Sequence, residues 1–271
     1  MTHRKLRNRP GVHSIYLPTH RLPERARPGE YKRPSSDEYT LAVALKPLVI
    51  QRVLSFGFDV FFLDVDIALL RDPRPWLHRS PTADLQVSLN YDDRPAQQKV
   101  TGKPDLNTGV IFAKQGAGTL ELVSQWATRT ASRHECPRRP PLWTCGDQEQ
   151  LTRLVRSCGW QPLSFEAAAE LHSSNAMQNV RCGGTIGALQ IDVLPPRLFA
   201  SGQTSALWRG NVSMRRGLAP ADVVTFHPNF GGFAGGSKKA MLRRLRFDSG
   251  GGHGGGVRAG WCLEASGRAS K

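Results

Sequence analysis

Two carboxylates, Asp64 and Asp66, stand in the run FGFDVFFLDVDIALLRDP at residues 56–73, at the end of the most apolar strand-forming stretch of the chain. Val60, Phe61, Phe62, Leu63 and Val65 surround them. A buried carboxylate without a partner is costly, so the pair calls for something that wants negative charge. Side chains two apart on a strand point the same way, which lets both aspartates meet one small cation from the same side. They stand at the carboxyl end of the expected strand, where open α/β sheets place their ligands. Oxygen ligands of this kind suit Mg²⁺ or Mn²⁺, ions often shared between carboxylates and a substrate's phosphates. An isolated D-x-D is short and frequent, and alone it reads as a cap on a strand-to-loop turn. The apolar setting and the company it keeps argue for the cation.

Other polar residues sit where elements begin or end. His227 closes VVTFH, and a neutral imidazole held at a strand end is a suitable metal ligand, although a strand-end histidine on the surface would look the same. Lys238 and Lys239 start a helix after a glycine-rich loop, a setting in which backbone amides, the helix N-terminus and an ammonium suit a diphosphate. Asn107, Thr108 and Gly109 lie where a polar turn enters an apolar strand, so an Asx-type turn accounts for them equally. Asp147 and Gln148 open a helix, for which Asp147 is a natural N-cap. Lys46 precedes Pro47 and reads as an ordinary surface lysine unless something draws it inward.

The elements that must hold these residues are legible from periodicity. Residues 39–56 have helical spacing at Leu41, Leu45, Leu48 and Val49; Pro47 either kinks that helix or starts its regular part, and Gly57 stops it. DVFFLDVD is a buried strand with a continuous apolar run, as parallel strands have, and DPRPW is a turn. DLQVSLN, NTGVIFAK, LQIDVLP and ADVVTFH are further strands. AGTLELVSQWATRTAS and GDQEQLTRLVRSCG are helices, the second stopped by Gly159, and GSKKAMLRRLRF is a last, basic helix with Ser237 as its N-cap. Helices alternating with strands predict an α/β fold with a mainly parallel, Rossmann-type sheet flanked by helices.

With 271 residues, 39% of them hydrophobic, the chain can build one large core or two small ones. Residues 1–38 form a basic segment rich in Arg and Pro with one strand-like cluster, GVHSIYLP. Residues 39–247 form the folded domain, and residues 248–271 a glycine-rich tail with no reason to fold. The net charge of +15 and pI of about 10.3 point to anionic partners, but the excess lies mainly in the two ends. No nucleic-acid-binding motif accompanies it, so no specific nucleic-acid partner is expected. The five cysteines lack C-x-x-C spacing and fit a zinc site poorly. No stretch has the apolar length of a transmembrane helix and the N-terminus has no signal-peptide core, so the chain as given is expected to be soluble. Asn211 opens an N-x-S glycosylation triplet, weak support for a luminal setting.

The run VALKPLVIQRVLSFGFDVFFLDVDIALLRDP, followed in order by LNTGVIFAK, GDQEQLTRLV and TFHPNFGGFAGGSKKAMLRRLR, resembles the nucleotide-diphospho-sugar transferase domain of plant and algal glycosyltransferases of the family 77 type. The resemblance spans roughly residues 40–247, and four ordered motifs are far more specific than one D-x-D. It implies a GT-A fold, a divalent metal (Mn²⁺ or Mg²⁺), a nucleotide-sugar donor, usually UDP-linked, and retention of anomeric configuration. The acceptor would be a glycan or glycoprotein, and the setting the Golgi lumen. By the same resemblance Asp64 and Asp66 bind the metal, Asp64 also faces the donor, and His227 is the third metal ligand. Lys238, rather than Lys239, and Lys46 reach the donor; Asn107, with Thr108 and Gly109, lies at the donor sugar. Asp147 and Gln148 face the reacting side of the sugar, where either could stabilise the charge that develops at the anomeric carbon.

Two features depart from that pattern. The first nucleotide-binding strand or strands of a GT-A domain, and the membrane anchor of a Golgi enzyme, have no counterpart before residue 40, which leaves a catalytically inactive, transferase-like binding module as the alternative. Phosphatases of the haloacid dehalogenase type also carry a hydrophobic strand followed by D-x-D, but they place Thr or Val where Ala68 stands. They also need a lysine before a later acidic pair, whereas here Asp92 and Asp93 precede Lys99.

Overall fold

The computed structural model describes residues 37–77, 79, 81–90, 105–132, 146–160, 178–182, 189–201 and 223–228. The expected strand GVHSIYLP, the basic last helix with Lys238 and Lys239, the glycosylation triplet and the glycine-rich tail lie outside these residues.

Helix α1, Asp37–Ser55, continues through Pro47 rather than starting at it. Pro47 has no N–H for the preceding turn. The helix holds because Ala44, Pro47, Ile50 and Leu54 recur on one face and are buried. It stops at Gly57, whose N–H reaches the Leu54 carbonyl at 2.9 Å. Strand β1, Val60–Leu63, leads into β2, Ala68–Leu69, and into a single helical turn α2, Arg74–Leu77, where a plain turn was expected. Then come β3, Leu85–Asn90, and β4, Asp105–Ala113. Helices α3, Ala117–Ala131, and α4, Asp147–Ser157, follow. Four short strands complete the described chain: β5, Gln178–Cys182; β6, Leu189–Val193; β7, Phe199–Ser201; and β8, Thr225–His227. Helix α4 ends as expected at Gly159, which adopts φ +97° and donates to Arg156 while Trp160 donates to Val155. That 6→1, 5→2 pair satisfies the last carbonyls.

The strands form a five-stranded sheet in the order β1-β4-β3-β6-β5 and a three-stranded sheet in the order β2-β8-β7. Among the described residues the pairing is mixed, not mainly parallel as the sequence led us to expect. Only β3–β6 and β7–β8 are parallel. Strand β4 returns beside β3 in hairpin fashion and runs antiparallel to both its neighbours. Strands β5 and β6 are separated by residues 183–188 alone, too few for the crossover that a parallel pair needs.

The core divides across the large sheet. Ile111 and Ala113 of β4 face a layer built from Ile50 and Leu54 of α1, Leu122 and Trp126 of α3, and Leu151 and Leu154 of α4. Val110 and Phe112 face the other way, toward Leu77, Leu194, Phe199 and Val224, beneath the small sheet. The alternation along β4 is the period-2 pattern of a strand buried on both faces. No described helix is long and apolar enough to cross a membrane.

The register breaks at one place that matters. Val87 pairs with Ile111, but the next residue, Ser88, pairs with Asn107. Thr108, Gly109 and Val110 are therefore extra on β4 relative to β3, a bulge in that ladder alone, since Val110 still pairs with Leu63 of β1. The hydroxyl of Ser88 pins it by donating to the Asn107 carbonyl at 2.8 Å.

Candidate metal and donor site

The bulge faces the end of β1. Asp64 follows the last residue of that strand, and its N–H donates to the Gly109 carbonyl at 2.9 Å, one step beyond the ladder. Ile67 then donates to the Asp64 carbonyl at 3.0 Å, which closes a tight turn. The two aspartates thus converge through a turn and not, as the sequence implied, through strand alternation. Val65 between them points fully into solvent.

The small sheet brings in the third group. Strand β8 pairs with β2, so His227 at its end arrives beside the turn. One ligand atom from each of Asp64, Asp66 and His227 lies within 4.8 Å of the others. Nε2 of His227 lies 3.4 Å from Oδ1 of Asp66. Ligands at about 2.1 Å from one Mg²⁺-sized ion are at most about 4.2 Å apart, so the three need close only slightly on a cation. The donor set fits a divalent ion such as Mn²⁺, for which carboxylate and imidazole are both ordinary ligands.

Behind this cluster lies a second, drier one. The Lys46 ammonium, with its side chain only 11% exposed, is 2.9 Å from Oδ1 of Asp64 and 2.6 Å from Oδ2 of Asp147. It also donates to the hydroxyl and the carbonyl of Thr108, at 3.2 and 3.3 Å. The Thr108 hydroxyl in turn donates a hydrogen bond to Oδ2 of Asp147 at 2.7 Å. Lys46 is thus no surface lysine. Burial alone would lower its pKa, but attraction to Asp147 and Asp64 and the hydrogen bonds to both outweigh it, and the pKa is raised above its ordinary 10.5. The ammonium stays charged throughout the neutral range.

Asp147 does not cap α4. The N-cap is Gly146, with no side-chain cap bond, and the Asp147 carboxylate is spent on Lys46 and Thr108 instead. Its carbonyl accepts the indole N–H of Trp126 from α3 at 2.7 Å, which locks the helix start against its neighbour. Gln148 sits half-buried in the same first turn. Asn107 is buried at 2% exposure and its carboxamide is bound on both ends: Nδ2 donates to Asn90 at 2.6 Å, and Oδ1 accepts from Gly109 N–H at 2.7 Å and lies 3.2 Å from Nδ1 of His227. The structure thus brings Lys46, Asp64, Asp66, Asn107, Thr108, Gly109, Asp147 and His227 into one locality. Lys238 lies outside the described residues. Two contributors escaped the sequence reading. Asn90 is signalled only as a polar residue ending an apolar strand, and Trp126 looks like any core aromatic.

A family model described as nucleotide-diphospho-sugar transferase matches residues 2–242 of the chain. The chain belongs to this family. Nucleotide-diphospho-sugar transferases are glycosyltransferases, which take a sugar from a nucleotide-sugar donor to an acceptor, and the mixed α/β architecture agrees with that membership. No curated protein and no solved structure matches the chain.

Proposed function

We propose that this nucleotide-diphospho-sugar transferase is metal-dependent, that its donor is a UDP-sugar, and that Asp64, Asp66 and His227 hold the ion. The convergence of these three groups at the mouth of a buried Lys46–Asp147–Thr108 cluster carries the reading. A Mn²⁺ or Mg²⁺ ion there would neutralise the diphosphate as it leaves.

The chain's own residues do the remaining work in this reading. Lys46 holds Asp64 and Asp147 at fixed positions on either side of its ammonium, so neither carboxylate must reorganise when donor arrives. Asp147 and Gln148, in the first turn of α4, face the sugar, and one or the other stabilises positive charge at its anomeric carbon. Thr108 and Gly109 shape the floor from the β4 bulge. Lys238, beyond the described residues, supplies a second cation to the diphosphate. The acceptor is a glycan or glycoprotein whose hydroxyl attacks the donor's anomeric carbon on the face from which the nucleoside diphosphate departs; the C1–O bond to phosphate breaks as the new one forms, the leaving phosphate oxygen takes the hydroxyl proton, and configuration is retained. A GT-A fold of the family 77 type and a Golgi setting complete the proposal, on the strength of the motif order.

Calorimetric titration of UDP into the purified chain, with and without Mn²⁺ and beside an Asp66→Asn variant, tests it. Binding should require Mn²⁺ and disappear in D66N, and a screen of UDP-sugars for hydrolysis or transfer should then find the donor. A folded chain that ignores UDP under both conditions would sink the active-enzyme reading and favour a non-catalytic binding module.

A further inference from the structure

We propose that Asn107 is a positioning residue for the metal ligand His227: its buried carboxamide fixes the imidazole tautomer and turns Nε2, with its lone pair, toward Asp66. The inference rests on the metal-site reading above and assigns Asn107 a role away from the donor sugar.

The orientation of the carboxamide follows from one bond. Gly109 N–H is a backbone donor, so the Asn107 atom 2.7 Å from it must be the oxygen. The amide nitrogen then faces Oδ1 of Asn90 at 2.6 Å, an acceptor, which agrees. The same Asn107 oxygen lies 3.2 Å from Nδ1 of His227. An amide oxygen only accepts, so Nδ1 carries the proton, and in the neutral imidazole that a metal ligand must be, Nε2 is left as the acceptor. That atom faces Oδ1 of Asp66 at 3.4 Å, a second acceptor. Two lone pairs turned toward each other make an arrangement that a shared cation completes. Metal-binding histidines generally donate their remote N–H to an oxygen in this way, which fixes the ring and raises its basicity.

The backbone of the seat is as constrained as its side chain. A Cβ placed on Gly109 would lie 2.6 Å from Cε1 of His227 and 2.8 Å from Oδ1 of Asn107, so the imidazole rests directly on a residue without a side chain. Ser88 holds the Asn107 carbonyl from below. The β4 bulge therefore serves as a seat in which Gly109 makes room for the ring and Asn107 decides which nitrogen faces outward. With both ends of its carboxamide bound and 2% of the residue exposed, Asn107 has little left to offer a sugar.

The test reads the tautomer and the metal separately. Imidazole ¹⁵N spectra of the metal-free chain near neutral pH, with the His227 signal assigned by its loss in H227Q, should show the Nδ1–H form. Asn107→Ala should lose that preference, and Asn107→Asp, which keeps an acceptor at the same place, should restore it. In parallel, calorimetry should find Mn²⁺ bound about 10- to 100-fold more weakly by N107A, with N107D recovering a large part of the loss. A wild-type His227 in the Nε2–H form overturns the proposal whether or not any variant folds. So does a folded N107A whose tautomer and Mn²⁺ affinity are unchanged and whose UDP-sugar KM has risen. A wild-type chain that binds no Mn²⁺, but whose His227 tautomer still follows residue 107, upholds the seat and overturns the metal reading instead.

Discussion

A Gly109→Ala chain should lose measurable Mn²⁺ binding and unfold more easily than wild type. The added methyl has no space: it would fall beside the His227 ring and the Asn107 oxygen, both closer than a Cβ tolerates, so one of them must shift. The backbone cannot retreat. Gly109 N–H is held by the Asn107 carboxamide and its carbonyl by the N–H of Asp64. The imidazole must leave its seat, which takes one of three ligands from the cluster and strips Asn107 of a donor. Overpacking of a tight site costs typically about 1–3 kcal/mol, and a fall in midpoint temperature of several degrees is expected. The affinity effect should exceed the stability effect, with Mn²⁺ binding down by more than about 100-fold because a ligand itself is displaced and not merely its support. Gly116→Ser is the control. A Cβ there meets nothing nearer than the Thr119 hydroxyl at 3.8 Å, and serine suits the N-cap position that Gly116 occupies. Calorimetry and thermal melts on the two variants decide the matter; a folded G109A with wild-type Mn²⁺ affinity would remove His227 from the ligand set.

How far this site could be read in advance depends on how local each signal is. Asp64 and Asp66 were legible because an apolar run ending in two carboxylates contradicts ordinary patterning, and His227 because it closes another such run. The helix stops at Gly57 and Gly159 were legible because they are written in one residue each. The pairing of Lys46 with Asp147 was not: each residue alone has a bland local role, surface lysine or helix cap, and only the packing of α1 against α4 and the bulge of β4 joins them. The bulge itself was hidden, since Asn107, Thr108 and Gly109 read as a turn entering a strand when they interrupt one already under way. Sheet direction was misjudged for a related reason. Continuous apolar strands show burial on both faces, and antiparallel β4 is buried that way as fully as any parallel strand. The short strands β2, β5 and β7 are set by their neighbours, with too few residues to show a period of their own.

Replacement of Lys46 by Met should destabilise the fold more than any other change at this site. Methionine keeps the length of the side chain and removes the charge, which leaves Asp64 and Asp147 together with only Thr108 between them. The Lys46, Asp64 and Asp147 side chains are 11%, 26% and 9% exposed, so water cannot fully replace the ammonium. Removal of one partner from a buried pair costs roughly 3–5 kcal/mol, chiefly because the remaining charge is uncompensated. For a domain of this size that is a fall on the order of 10 °C in midpoint temperature. The pH dependence gives a sharper signature. Because the Lys46 pKa in the folded chain is raised above 10.5, the stability it contributes is complete below that value and is lost as the pH climbs through the folded pKa. The gap between wild type and K46M should therefore be constant from neutral pH to about pH 9 and narrow only in strong alkali. Mn²⁺ should narrow it at neutral pH as well, since a cation bound by Asp64 replaces part of the missing charge and stabilises the folded state by mass action. Denaturant titrations of both chains at several pH values, with and without Mn²⁺, measure all three effects. A K46M chain as stable as wild type at neutral pH would mean that the two carboxylates do not depend on Lys46, and that the buried cluster behind the metal site is not the scaffold that holds it.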